Sequence, residues 1–254
     1  MTFLNYLFLS LRNGFGLMVL GLLPYIILAF FMQYISDLLR RGMGHGSSGK
    51  FWLYFTSPGV MLHELGHVLF CLIFKHQIVE VKLFENDERR NRLGYVNHRY
   101  NPKSYYQRVG NFFIGTGPIW FGVACMFVLS KLLLPSGMIG AGDGFSDIMM
   151  NFFGGFLKKE FWFSWKTWIW FYLSFSIAAH VKLSKADLEG AKDGAIFLVG
   201  VVFLGSLLLG WCGSWEDALL NFEIAVFVTL LSMMISFLVL IVIPVCIIRH
   251  FLYR

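Results

Sequence analysis

The chain has 254 residues, of which 57% are hydrophobic, 18% aromatic and only 14% charged. Soluble domains carry about 25% charged residues, and disordered chains are poor in apolar residues and rich in charge, so this composition excludes both classes. The four cysteines all lie within apolar runs, where we expect small buried hydrophobes rather than a disulfide framework. The composition therefore predicts an integral membrane protein.

Six apolar stretches are long enough to cross a bilayer, whose hydrocarbon core of roughly 30 Å needs about 20 helical residues. Helix is expected in each stretch, because an unpaired backbone group is costly in lipid. The predicted fold is an all-α membrane protein, a single integral membrane domain over residues 1–254 with about six transmembrane helices and a small β-hairpin. The predicted spans cover residues 15–35, 51–74, 112–134, 161–181, 195–212 and 224–248.

The basic residues predict the orientation of these spans. An even number of spans places both termini on one side, and that side collects 14 of the 21 lysines and arginines. The positive-inside rule assigns this side to the cytoplasm. We therefore expect a protein of the bacterial plasma (inner) membrane with both termini cytoplasmic. Topology explains the net charge of +6, so the lipid bilayer is the expected partner and nucleic acid is not. No oligomeric state is predicted.

Two loops between the spans have a distinctive pattern. In the cytoplasmic loop, residues 78–84 alternate apolar and polar side chains, a polar stretch follows, and residues 93–100 resume an extended pattern, which predicts a β-hairpin over residues 78–100. In the second outer loop, the apolar residues 148–157 are expected to lie in the membrane interface. The tryptophans that follow are typical of an interfacial aromatic belt: Trp162, Trp165, Trp168 and Trp170.

The second span contains the sequence His63-Glu64-Leu65-Gly66-His67. Residues i and i+4 lie on one face of a helix, so His63 and His67 can bind one metal ion while Glu64 reaches a water molecule on that metal. Three ionisable side chains within an apolar span are costly and usually functional. The motif therefore predicts a metal site with zinc as the cofactor.

A catalytic zinc ion takes three protein ligands and leaves one position open for water. Cys71 lies roughly 12 Å along the helix axis from His63, so we expect it in the core instead. The candidates for the third ligand are all predicted on the cytoplasmic side: His98, His180, Asp187 and Asp193. Residues 184–187 also match a capping box, which would explain Asp187 as part of a helix start. His76 lies outside the spans and is expected at the surface.

The sequence resembles the site-2 protease family of intramembrane zinc metalloproteases over roughly residues 51–195. Residues 63–67 fit the family's HExxH motif, the hairpin is placed like the family's membrane-associated β-structure, and Gly115-Thr116-Gly117-Pro118 is similar to its Gly-Pro element. The family's third ligand is an aspartate in an Asn-x-x-Pro…Leu-Asp-Gly motif. Here the chain has Asp187-Leu188-Glu189-Gly190 without the Asn-x-x-Pro part. The resemblance implies Asp187 as the third ligand, with His180 as the alternative.

The resemblance further implies hydrolysis of a peptide bond in a membrane-embedded protein substrate, with zinc-activated water and Glu64 as the general base. The candidates for contacting the oxyanion or the substrate are Asn97, His98 and His180. The alternative is a non-proteolytic zinc-binding membrane protein on the same scaffold, because the third-ligand motif departs from the family pattern. A metal or ion transporter is less well supported, since four of the six spans carry almost no ionisable residues in their interiors.

Overall fold

The computed structural model describes residues 34, 51, 53–85, 93–138, 145–180, 183–192 and 194–195. Apart from Tyr34 and Ala195, the spans predicted at the chain ends and in its C-terminal part lie outside the described residues, and so does Asp193. These spans are the ones over residues 15–35, 195–212 and 224–248.

The described chain is mostly helical, with one small antiparallel sheet. In chain order the elements are α1 (Ser57–Ile73), β1 (Gln77–Lys82), β2 (Tyr95–Arg99), α2 (Tyr105–Leu133), α3 (Phe145–Phe156), α4 (Lys159–Phe163) and α5 (Trp165–His180). Residues 185–192 are also helical. The predicted combination of helices with a β-hairpin is therefore confirmed.

Within the described residues, one helix rather than about six is long and apolar enough to cross a membrane. This helix is α2, with 29 residues. It begins before the predicted start at residue 112, because Ser104 Oγ accepts a hydrogen bond from the Gln107 backbone N–H at 3.4 Å and caps an earlier first turn. The predicted span over 51–74 contains α1, which is apolar but has only 17 residues. The predicted span over 161–181 is divided at the extended Ser164 into α4 and α5.

Helix α1 ends in a Schellman motif that leads into the hairpin. The His76 backbone N–H donates to the Cys71 carbonyl at 2.8 Å, and the Lys75 N–H donates to the Leu72 carbonyl at 3.2 Å. Lys75 adopts the left-handed conformation, with φ of 56°, in the position that a Schellman motif usually gives to glycine. The motif reverses the chain, so that β1 begins directly after His76.

The hairpin matches its predicted position closely. Strands β1 and β2 pair in antiparallel register, with Gln77 opposite Arg99 and Lys82 opposite Tyr95. The register shifts between Ile78 and Glu80, which leaves Val79 as the extra residue of a β-bulge.

The described residues belong to two compact units. The first contains those of 61–121 and 182–195, and α1 and α2 approach each other there at two glycines. A Cβ atom at Gly66 would lie 2.9 Å from the Pro118 Cα, and one at Gly117 would lie 2.9 Å from the Gly66 carbonyl oxygen. Such close approach through small residues is typical of helix packing in membranes. Cys71 is fully buried in this unit, as predicted.

The second unit contains the described residues of 32–60 and 122–180 and has an aromatic core. Its largest fully buried side chains include Phe152, Phe161, Trp170 and Phe171. Trp170 Nε1 donates to Ser130 Oγ at 2.8 Å, so the prediction that Trp170 belongs to an interfacial belt is wrong: a polar partner satisfies its N–H inside the core. Trp165 and Trp168 are 67% and 48% exposed, and their place in a belt remains a prediction.

Candidate metal centre

Two histidines of α1 and one aspartate from the helical residues 185–192 converge in the first unit. His63, His67 and Asp187 each offer a ligand atom within 4.8 Å of the other two. His67 Nε2 lies 3.3 Å from His63 Nε2 and 3.3 Å from Asp187 Oδ1, and His63 Nε2 lies 3.8 Å from Asp187 Oδ2. Ligand atoms about 2.0–2.1 Å from a tetrahedral ion are separated by roughly 3.3 Å. The group therefore has the dimensions of a metal site.

A backbone carbonyl orients His67 within this group. His67 Nδ1 lies 2.7 Å from the Ile114 carbonyl oxygen, and because a carbonyl can only accept, Nδ1 carries the hydrogen in neutral His67. The Nε2 lone pair then faces His63 and Asp187. Metal-binding histidines almost always donate their second N–H to a carbonyl or carboxylate in this way. A lone pair directed at a carboxylate oxygen is repelled unless a proton or a metal ion lies between the two atoms, so this arrangement fits a bound metal.

The Asp187 carboxylate has two roles. Its Oδ2 accepts from the Ser184 backbone N–H at 2.6 Å, and the Asp187 N–H donates to Ser184 Oγ at 3.1 Å, so the predicted capping box is confirmed. Its Oδ1 faces His67. Burial by itself raises the pKa of the Asp187 carboxyl, but the neighbouring His63, His67 and Ser184 hold that pKa below its usual value. The carboxylate is thus ionised, capped and directed at the histidines.

Two glycines of α2 bring the ligand-bearing segments together. Gly117 faces α1 at Gly66, whereas a Cβ atom at Gly115 would overlap the Asp187 carbonyl and meet the Ala191 side chain. A side chain at either glycine would separate its two segments. The sequence Gly115-Thr116-Gly117-Pro118, which resembles a family element, has the structural role of letting two segments approach one helix.

Glu64 follows His63 directly and is 8% exposed. The hairpin covers one side of it, because a Cβ atom at Gly94 would lie 2.7 Å from Glu64 Cγ and 3.0 Å from Oε1. Sequence reasoning did not identify Gly94 as a neighbour of the site. The available signal was a glycine inside a strand pattern, which often marks a close approach of the backbone.

The other predicted site residues lie elsewhere. His180 belongs to the second unit, where its Nε2 lies 2.8 Å from Thr56 Oγ1, and it is not part of the metal-binding group. Asn97 pairs with Glu80 across the hairpin. Asn97 and His98 help to line a surface cavity of ≈ 480 Å³ on the hairpin.

His76 is 5% exposed, so the prediction that it lies at the surface is wrong. Its Nδ1 is 3.0 Å from His98 Nδ1, its Nε2 is 2.9 Å from the Gln107 carbonyl oxygen, and its ring stacks on Tyr100. Burial lowers the pKa of His76, although the bond to Gln107 acts in the opposite direction. Burial, and then the neighbouring His76, lower the pKa of His98. The Schellman motif at the end of α1 directs His76 inward, which a span-by-span interpretation does not anticipate.

Two imidazole nitrogens and one carboxylate oxygen form a donor set that fits a divalent transition metal. Comparison with profiles of known protein families, with curated proteins and with solved structures gives no match for this chain.

Proposed function

We propose that this protein is an intramembrane zinc metalloprotease that hydrolyses a peptide bond in a membrane-embedded protein substrate. The observation that carries the proposal is the position of Asp187. It comes from a segment far along the chain from His63 and His67, and it lies 3.3 Å from His67 Nε2. The three potential ligand atoms thus lie within 4.8 Å of one another, and the buried Glu64 follows His63 directly in the chain, which fits a catalytic metal site with three protein ligands.

Zinc is the metal that we propose for this donor set. Three protein ligands of the His, His and Asp type leave a fourth tetrahedral position for water, whereas a structural zinc site is closed by four protein ligands. A zinc ion held there would supply the Lewis acidity that activates a water molecule and polarises the scissile carbonyl.

Glu64 is the residue that moves the proton. A carboxylate beside the ligand group accepts a proton from the attacking water and returns it to the leaving amine, as a general base and then a general acid. The Gly94 backbone lies against one side of Glu64, which keeps this carboxyl group buried beside the helix turn that carries His63 and His67. His67, held by the Ile114 carbonyl, keeps its Nε2 directed at the same point.

The hairpin is the proposed binding surface for the substrate. A helical peptide bond is shielded by its own turns, so a substrate segment must unwind before it can react. An unwound segment can add to a strand edge through main-chain hydrogen bonds. Val79 and Val81 on β1 are 52% and 36% exposed and offer apolar contacts to such a strand. Because Gly94 joins this hairpin to Glu64, the added strand would lie near the reacting centre.

The membrane arrangement is part of the same proposal. The apolar α2 crosses the bilayer, α1 carries the site within it, and the complete chain forms about six spans with both termini in the cytoplasm of a bacterial cell. The hairpin then lies at the cytoplasmic surface, near the end of α1.

Replacement of Glu64 by glutamine tests the proposal. The purified full-length protein in detergent is given a single-span fusion protein whose transmembrane helix contains an Asn-Pro pair. We expect Glu64→Gln to keep one zinc per chain and to lose cleavage by about 10²–10⁴-fold, the usual contribution of a general base. The matched control is Glu160→Gln, at an exposed glutamate of the second unit, which should cleave normally. Unchanged cleavage by Glu64→Gln would sink the mechanism, and a zinc-loaded wild type that never cleaves would favour a non-proteolytic zinc-binding protein.

A further inference from the structure

Pro118 lies inside α2, four residues after Ile114. In an α-helix each backbone N–H donates to the carbonyl four residues earlier. Proline has no N–H, and its ring crowds that same carbonyl. Position 118 therefore leaves the Ile114 carbonyl without its usual donor within the helix.

The Ile114 carbonyl instead accepts the Nδ1–H of His67 at 2.7 Å. Ile114 and His67 are 3% and 6% exposed, so water does not replace the missing donor easily, and an unpaired buried carbonyl would be costly. The imidazole thus supplies from a neighbouring helix the hydrogen bond that proline removes.

The packing of the two helices makes this exchange possible. A Cβ atom at Gly66 would lie 2.9 Å from both the Cα and the nitrogen of Pro118. Gly66 therefore brings the backbone of α1 against the proline itself. His67 follows Gly66 in the chain, so its ring lies next to the Ile114 carbonyl, which receives no hydrogen bond from Pro118.

We propose that Pro118 is a positioning residue for the metal centre. Because Pro118 has no N–H to donate to the Ile114 carbonyl, that carbonyl accepts from His67 and holds it as the Nδ1–H tautomer. The Nε2 lone pair is then directed at His63 and Asp187. The inference rests on the metal site of the proposed function and is independent of proteolysis. A carbonyl has two lone pairs, so a restored helix N–H would weaken and redirect the bond to His67 without removing it.

The test compares wild type with Pro118→Ala, using full-length protein in detergent. Zinc affinity is measured by competition with a chelator, and Tm is measured on the zinc-free protein. Loss of the hydrogen-bond partner of a metal ligand typically weakens metal binding by 10–100-fold. Because the bond to His67 is weakened rather than lost, we expect the zinc Kd to rise by up to about 10-fold. The zinc-free Tm should stay the same or rise, since alanine restores a helix hydrogen bond and is the better helix former. A positioning role thus predicts weaker zinc binding together with an unchanged or higher zinc-free Tm.

The matched control is Pro135→Ala, which lies after the end of α2 and should leave the zinc Kd unchanged. A histidine ¹⁵N NMR spectrum of the zinc-free protein gives a second measurement, with His67→Ala as the assignment. We expect the Nδ1–H tautomer of His67 in wild type and a mixture of tautomers in Pro118→Ala.

Two results would overturn the inference: an unchanged zinc Kd in Pro118→Ala, or a weaker Kd accompanied by a lower zinc-free Tm, which would indicate a general structural role. Its failure is distinguishable from failure of the proposed function. Wild type that binds zinc with the predicted Pro118 effect but never cleaves supports the inference and rejects the protease. Cleavage by the wild type together with normal zinc binding by Pro118→Ala would support the protease and reject the inference.

Discussion

Two histidine pairs in the first unit have nearly the same geometry but different surroundings. The ring centroids of His63 and His67 are 5.0 Å apart, and so are those of His76 and His98. The facing nitrogens are separated by 3.3 Å in the first pair and by 3.0 Å in the second. In each pair one ring donates to a backbone carbonyl of α2, from Ile114 in the first and from Gln107 in the second.

The Asp187 carboxylate beside the first pair distinguishes it from the second. His76 uses its Nε2–H for Gln107, so neutral His76 has a lone pair on Nδ1, and His98 Nδ1–H donates to it. The second pair therefore satisfies itself, with Tyr100 stacked on one ring. In the first pair the Nε2 atom of His67 faces both the Nε2 atom of His63 and the carboxylate of Asp187, and one bound metal cation would satisfy all three groups. Within the part of the chain that the structure describes, His63, His67 and Asp187 form the one group of three side chains that could hold a metal ion. Whether such a pair of histidines makes only a structural contact or could hold a metal ion therefore depends on whether a carboxylate lies beside it.

The largest expected effect is on zinc content. We expect His63→Ala, His67→Ala and Asp187→Ala each to lower bound zinc from one per chain to below about one-tenth, because three protein ligands are the minimum for a catalytic zinc site. The matched variants His76→Ala and His98→Ala should keep full zinc. Metal analysis of the purified proteins measures this directly.

The same measurement addresses the alternative third ligand. His180→Ala should keep its zinc, since His180 contacts Thr56 in the second unit. Full occupancy in Asp187→Ala, or loss of zinc in His180→Ala, would contradict the assignment of Asp187.

Next in size is a pair of glycine substitutions on α2. Gly115→Ala would push against the Asp187 carbonyl, whereas Gly110→Ala would push against Phe74 Cβ, 2.5 Å away, and His76 Nε2, 3.1 Å away. Overpacking costs about 1–3 kcal/mol, so both variants should unfold at lower temperature. Zinc affinity should fall only in Gly115→Ala.

Gly154→Ala is the control for these two variants, since nothing lies within 4 Å of the added Cβ atom. Equal loss of zinc affinity in Gly110→Ala and Gly115→Ala would show that the two pairs are not independent.

A smaller effect is expected for Ser184→Ala. The hydroxyl accepts the Asp187 N–H at 3.1 Å, and loss of a helix cap costs about 1 kcal/mol. The Ser184 backbone N–H still reaches Asp187 Oδ2, so zinc binding should weaken by less than in Gly115→Ala. Zinc competition against the neighbouring Lys185→Ala measures the difference. Full loss of zinc in Ser184→Ala would mean that the cap, rather than the packing at Gly115, sets the position of Asp187.

The smallest expected effect is the pH dependence of the second pair. The pKa values of His76 and His98 are lowered in the folded state, so folding keeps both rings neutral below the pH at which the unfolded chain binds protons. Their contribution to stability is complete above the ordinary histidine pKa of about 6.5. It is lost as the pH falls from there to the lowered pKa values, below which it changes no further. The double variant His76→Phe/His98→Phe should therefore show a smaller difference in Tm between pH 8 and pH 5 than wild type. An identical pH difference in the two proteins would refute this.

The local features of the site follow from spacing. His63 and His67 share a helix face because a helix has 3.6 residues per turn, the hairpin follows from alternation, and the capping box places Ser184 and Asp187 together. Helix lengths were less predictable. Hydropathy merges residues 161–181 into one span, but the chain becomes extended at Ser164, and α1 ends at a Schellman motif whose left-handed residue is Lys75 rather than glycine.

The sequence by itself determined that one helix carries two histidines able to bind one metal ion, with a glutamate next to the first, because those relations depend only on the helical repeat. Only the tertiary structure decided that Asp187 rather than His180 lies beside His63 and His67, and that His76 is buried. It also decided that the Ile114 carbonyl, four residues before Pro118, accepts from His67. Each of these depends on which segments approach through Gly66, Gly115 and Gly117. Close approach is a property of two surfaces together, and no local pattern in either segment contains it.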